Sequence, residues 1–148
     1  MIKKILTYPE NKEILTQKSK LVDFDEDITE LIQDMKDTLN STTGCGISAV
    51  QIGVLKRVCL IKINHEIITM INPEITRMRG EIIKEEGCLS APKEYRPVKR
   101  AEKVWCEYID ENNNRKEIAV GGLCSRIIQH ELDHFEGWCE VFNNLEEK

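Results

Sequence analysis

The sequence predicts an α+β domain in which a mainly antiparallel sheet wraps around one buried, metal-bearing helix, and three observations predict it. Two segments, residues 28–39 and 123–135, carry apolar residues at the 3.6-residue spacing of amphipathic helices. Between them lie short β-like runs bounded by glycine, proline and asparagine. The second helical segment contains His130-Glu131-Leu132-Asp133-His134, which puts two imidazoles one turn apart with a carboxylate beside them. Strands that follow one another through turns, rather than alternating with helices, favour an antiparallel sheet.

In the first helical segment Ile28, Leu31, Ile32, Met35 and Leu39 form the apolar stripe, Asp25 or Asp27 is placed to cap it, and Gly44 and Gly46 are expected to end it. Strands are expected over 58–63, 67–71, 81–84, 104–109 and 116–120, punctuated by Pro73, Gly80 and Pro92, with Asn112-Asn113-Asn114 as a hairpin turn. After Gly121-Gly122, the residues Leu123, Ile127, Ile128, Leu132 and Phe135 give the second helix its apolar face, and Gly137 stops it.

Composition narrows the classes of function. At 148 residues and 41% hydrophobic content, residues 1–148 suit a single domain able to bury its own core. No run approaches the ~20 apolar residues of a membrane span, and the apolar start is broken by Thr7-Tyr8-Pro9-Glu10 before a secretory core forms, so a cytoplasmic protein is expected. A net charge of −5, with basic residues scattered among acids, argues against a nucleic-acid surface. The six cysteines include no CxxC pair, which argues for reduced thiols and against a structural zinc finger.

The histidine motif is read first as a metal site that activates water, with an incidental pair on a polar helix face as the alternative. Two of the chain's three histidines fall in it, while His65 sits in a polar stretch that reads as a surface loop. A catalytic site of this kind takes a third protein ligand and leaves a position for water. Cys88, in Glu86-Gly87-Cys88-Leu89-Ser90, is the candidate, Gly87 permitting close backbone approach; spacing alone leaves it equally open to being a small buried apolar residue. Asp133 falls on another helix face and reads as a supporting or surface acid.

Three segments in this order, Gly44-Cys45-Gly46-Ile47-Ser48-Ala49-Val50-Gln51, Glu86-Gly87-Cys88-Leu89-Ser90 and Gln129-His130-Glu131-Leu132-Asp133-His134, resemble the three motifs of the peptide deformylase family. The resemblance runs from about Ile5 to Phe142. The first motif departs slightly, with Ile47-Ser48 where the family usually has Leu-Ala and Cys45 where an aliphatic residue is common; the glycines and Gln51 are kept.

What the resemblance implies is a metal-dependent hydrolase that removes the formyl group from formyl-methionine at the start of new polypeptides, releasing formate. Cys88, His130 and His134 would hold the metal, and Glu131 would take a proton from the attacking water and pass it to the departing amine. The Gln51 amide and the Leu89 backbone N–H would stabilise the developing oxyanion. Gly44, Cys45, Gly46 and Gly87 would border an extended substrate, and a buried Glu86 would pair with Arg100. Cys45 would line the methionine pocket or be a plain loop thiol, forming a disulfide with Cys88 under oxidation if the two lie close. One thiolate and two imidazoles ordinarily suggest zinc, whereas the resemblance implies ferrous iron, with zinc, nickel or cobalt able to substitute. Transient ribosome contact is left open, because the chain stops at Asn143-Asn144-Leu145-Glu146-Glu147-Lys148 with no basic tail.

Two other functions fit the residues less well. A general metallopeptidase is opposed by Cys88 and by the absence of any histidine after His134. A binding protein that has lost the reaction is opposed by the joint presence of Glu131, Gln51 and three ligands.

Overall fold

The run Val58–Ile63 organises the molecule because its alternate residues are buried on opposite faces of one strand. In the computed structural model, which describes residues 1–143, Val58 and Leu60 pack with Ile32, Met35 and Leu39, while Cys59 and Ile61 pack with Ile128 and Phe135. The strand is therefore held between two helices, one on each face of its sheet. The acidic end 144–148 lies outside the described residues.

In chain order the elements are α1 (Lys12–Leu15), α2 (Thr29–Asn40), β1 (Gly46–Ser48), a 3-10 turn (Ala49–Ile52), β2 (Val58–Ile63), β3 (Glu66–Arg79), β4 (Ile82–Cys88), β5 (Ala91–Arg100), β6 (Lys103–Ile109), β7 (Arg115–Gly121) and α3 (Gly122–Phe135). Strands β1, β2, β3, β6 and β7 form one antiparallel sheet in that order, and β4 with β5 forms a second. The helix α3 touches β1, β2, β5, β6 and β7, so the strands surround it as expected.

Several boundaries follow local chemistry. Of the two candidate caps it is Asp27 that accepts the Thr29 backbone N–H, at 3.0 Å. Asn64 and His65 both have positive φ and form the β2–β3 turn, which keeps His65 exposed. The asparagine loop does turn β6 into β7: Asp110 Oδ1 accepts the backbone N–H groups of Asn112 and Asn114, both at 2.9 Å. Gly137, at φ 74°, follows the last turn of α3.

Four expectations are corrected. The helix α2 ends at Asn40, where Ser41 and Thr42 hydroxyls donate to the carbonyls of Thr38 and Leu39, so Gly44 and Gly46 do not end it. Pro73 does not break β3; the ladder shifts register between Ile71 and Glu74, where a residue without an N–H fits. Pro92 lies inside β5, a strand the sequence conceals with two prolines and interspersed charges; its sheet has only two strands, so each strand keeps a free edge. Leu123 is 54% exposed rather than part of the apolar face.

Candidate metal centre

The helix α3 is fixed along its length before any ligand is considered. Gln129 is buried and clamps the β5–β6 turn, donating to the Ala101 carbonyl at 2.9 Å and accepting the Ala101 N–H at 2.9 Å. Ser125 Oγ donates to the same carbonyl at 2.9 Å. One turn on, His130 and His134 stack edge to face with ring centroids 5.1 Å apart.

The third predicted donor arrives from the other sheet. Cys88 ends β4 and Ala91 pairs with it across a two-residue turn made by Leu89 and Ser90. The Cys88 sulfur lies 3.5 Å from His134 Nε2. A fourth donor, Cys139, was missed by sequence reasoning: donor atoms of Cys88, His130, His134 and Cys139 all lie within 4.8 Å of one another. Cys139 follows α3 after the Gly137 turn and is 1% exposed, with its sulfur within 4.8 Å of that of Cys88. Their closeness eases removal of the first proton from the pair and opposes removal of the second.

These residues fit a transition-metal ion by the chemistry of their donors. Two imidazole nitrogens and two thiol sulfurs converge within 4.8 Å, and an ion there would displace the proton that Glu86 helps to hold on His130, whose pKa is raised to about 9. Burial, and the positive charge of His130, push the His134 pKa well below the usual histidine range, which keeps that ring neutral. His130 Nδ1 donates to Glu86 Oε1 at 3.1 Å, which orients the ring and leaves Nε2 for an ion.

Glu86 is in turn held by Arg100, which donates from Nε to Oε2 at 3.1 Å and from Nη2 to Oε1 at 2.9 Å. The Nη1 group of the same guanidinium donates to Asp133 Oδ2 at 2.6 Å. Burial alone would raise the Glu86 pKa, but hydrogen bonds from His130 and Arg100 outweigh it and bring the value to about 2. The predicted Glu86–Arg100 contact is present, and Asp133 is its third member.

The remaining groups meet at Glu131. Its carboxyl is 4% exposed and accepts the Ser48 hydroxyl at 3.0 Å, and burial raises its pKa above the usual carboxylate range. Gly46 explains itself here: a Cβ on it would stand 2.6 Å from Glu131 Oε2, so glycine lets β1 press against the carboxylate. A Cβ on Gly44 would stand 3.1 Å from the Leu89 side chain, and one on Gly87 2.7 Å from the Tyr95 ring. Gln51 is 2% exposed; its Oε1 accepts the Ser48 backbone N–H at 2.9 Å, which turns Nε2 toward Ser90 Oγ at 3.1 Å and the Cys88 sulfur at 3.8 Å.

A cleft of about 500 Å3 opens onto these groups. Gly44, Cys45, Gly46, Gly87 and Leu89 line it, as do Leu123 and Ile127 from the first turns of α3. The exposure of Leu123 is thus exposure to the cleft. Cys45 is exposed, and the thiol gathered with Cys88 among the candidate donors is Cys139. Among the described residues no helix is long and apolar enough to cross a membrane.

Comparison with known proteins bears on the same arrangement. Residues 2–146 match the family model described as polypeptide deformylase. A peptide deformylase of Caldicellulosiruptor bescii is 41% identical over 137 residues, covering 92% of this chain and 81% of the relative. The crystal structure of a peptide deformylase from Legionella pneumophila superposes with a TM-score of 0.89 at 42% identity, covering 98% of this chain and 86% of that one. The enzyme of the Vibrio parahaemolyticus bacteriophage VP16T, solved in complex with actinonin, superposes with a TM-score of 0.86 at 34% identity, covering 92% and 98%. Fold, motif order and near-complete coverage agree: the chain belongs to the polypeptide deformylase family, whose members are metal-dependent hydrolases.

Proposed function

We propose that this chain removes the formyl group from N-formyl-methionyl nascent peptides through the residues gathered around Glu131. The observation that carries the proposal is a buried carboxylate with a raised pKa, beside converging metal donors and at the wall of an open cleft. Cys88, His130 and His134 would hold the ion, which would supply Lewis-acid polarisation and a lowered pKa for water. Glu131 accepts a proton as water adds to the formyl carbon and returns it to the nitrogen as the C–N bond breaks. The Ser48 hydroxyl holds the carboxylate in place for both transfers. Gln51 Nε2, fixed by its contact with Ser48, donates to the oxygen that gains charge, and the Leu89 N–H joins it from the β4–β5 turn.

The extended peptide runs past Gly44, Cys45, Gly46 and Gly87, where the backbone is open to it, and its methionine side chain meets the apolar wall that includes Leu123 and Ile127. Ferrous iron is the ion assigned, with zinc, nickel or cobalt as substitutes; the site of action is the cytoplasm, with transient access to the ribosome. Formate release from a formyl-methionyl tripeptide, by protein purified without oxygen and loaded with ferrous iron, tests the proposal. Rapid release abolished by Glu131→Ala supports it. Metal binding without formate release overturns it.

A further inference from the structure

The deformylase reaction leaves Cys139 without a task, although its sulfur lies within 4.8 Å of the Cys88 sulfur. The two thiols differ in access. Cys88 is half-buried and lines the cleft, whereas Cys139 is 1% exposed, enclosed with Tyr8, Leu15, Ala91, Val141 and Phe142. A small oxidant entering the cleft meets Cys88 first and finds Cys139 directly behind it. Both residues stand at the margins of regular elements: Cys88 is the last residue of β4, beside its two-residue turn, and Cys139 lies beyond α3. The sulfurs must close from within 4.8 Å to a bond of about 2 Å, and the turn after Cys88 and the segment around Cys139 are what must move.

We propose that Cys88 and Cys139 form a reversible disulfide when the protein meets a hydroperoxide, with Cys88 as the attacked thiol and Cys139 as the resolving one. The Cys88 thiolate attacks one oxygen of hydrogen peroxide; an S–O bond forms, the O–O bond breaks and hydroxide leaves. The sulfur is oxidised by two electrons and the peroxide reduced by two, giving a sulfenic acid at Cys88. The Cys139 sulfur then attacks the Cys88 sulfur; an S–S bond forms, the S–O bond breaks, and the departing hydroxide takes the Cys139 proton as water. In sum, two thiols and one hydrogen peroxide give one disulfide and two waters.

Two consequences follow. Cys88 is kept from the sulfinic and sulfonic states, which thiols do not reverse. On the reading that Cys88 is a metal ligand, the disulfide also withdraws a donor and releases the ion.

The experiment is a peroxide titration of the metal-loaded full chain, of Cys139→Ser, which is close to isosteric, and of Cys139→Ala. Thiols are counted and peptides mapped by mass spectrometry, and free metal is read with a chromogenic chelator. The expected wild-type result is loss of two of the six thiols, a peptide pair joined through Cys88 and Cys139, and recovery of both thiols with dithiothreitol. Both variants are expected to lack the joined pair and to accumulate sulfinic acid at Cys88 that dithiothreitol does not remove. A wild type in which Cys88 over-oxidises as fast as in the variants, or pairs with Cys45 instead, overturns the proposal. The thiol and peptide readouts do not use formate release, so they stand whether or not the deformylase proposal survives.

Discussion

Replacing Arg100 with methionine isolates the support beneath the metal centre. The guanidinium is 8% exposed and makes three charge-assisted hydrogen bonds, two to Glu86 and one to Asp133. Methionine keeps much of the apolar stem and deletes the charge, leaving the Glu86 carboxylate buried beside His130. Removing one member of a buried ion pair costs about 3–5 kcal/mol, because the other charge is stranded. At roughly 2–4 °C per kcal/mol for a domain of this size, melting is expected to fall by on the order of 10 °C. Loss of the group that orients Glu86, and through it His130, is also expected to weaken metal binding by roughly 10–100-fold. Thermal and urea denaturation of metal-free protein reads the first effect, and competition with a chelator reads the second. Adding Glu86→Gln to Arg100→Met is expected to restore part of the loss, since the stranded charge is removed. A metal-free Arg100→Met protein within about 1 kcal/mol of wild type would refute the reasoning.

Three other outcomes are expected. The Glu86 pKa is about 2 against an ordinary 4.5, so its stabilisation is nearly complete above pH 4.5 and lost as pH falls through 2; at ~1.4 kcal/mol per unit this is about 3 kcal/mol in all, of which metal-free wild type is expected to lose roughly 2 kcal/mol more than Glu86→Gln between pH 5 and 2.5. Parallel urea-stability profiles for the two would count against it. Gly46→Ala drives a methyl onto the Glu131 carboxylate, and kcat for formate release is expected to drop by roughly 10–100-fold with the melting temperature nearly kept; unchanged kcat would separate Gly46 from Glu131. Gly137→Ala places a Cβ 2.3 Å from the Thr16 carbonyl oxygen at φ 74°, and a loss of at least ~2 kcal/mol is expected in chemical denaturation, whereas wild-type stability would show that the turn relaxes freely.

The parts of the molecule that could be read from sequence are those whose cause is local. The stripe of Ile28, Ile32, Met35 and Leu39, the asparagine turn after Asp110 and the histidine pair on α3 are each set by residues a few positions apart. What could not be read depends on distant partners. The strand β5 looks like a loop because Pro92 and Pro97 mask it, and only the free edges of a two-stranded sheet make it permissible. Gly46 looked like a helix stop because the carboxylate it accommodates is Glu131, far along the chain. Cys139 gave no metal-type spacing; its place beside Cys88 comes from the chain folding back after α3 beneath the β4–β5 turn. A thiol a few residues beyond the second histidine was the one available signal. The Glu86–Arg100 contact was legible only through the family resemblance, and Asp133 was legible as a supporting acid from its helix face.

The double-sided burial of β2 makes the two halves of the molecule interdependent. Withdrawing α3 would bare Cys59 and Ile61, and withdrawing α2 would bare Val58 and Leu60, on the same six-residue strand. Neither layer can open without cost to the other, so the amides of β2 are expected to exchange only through global unfolding. An ion bound at one end of α3 is thereby expected to slow hydrogen exchange in α2, a helix that supplies none of the gathered donors.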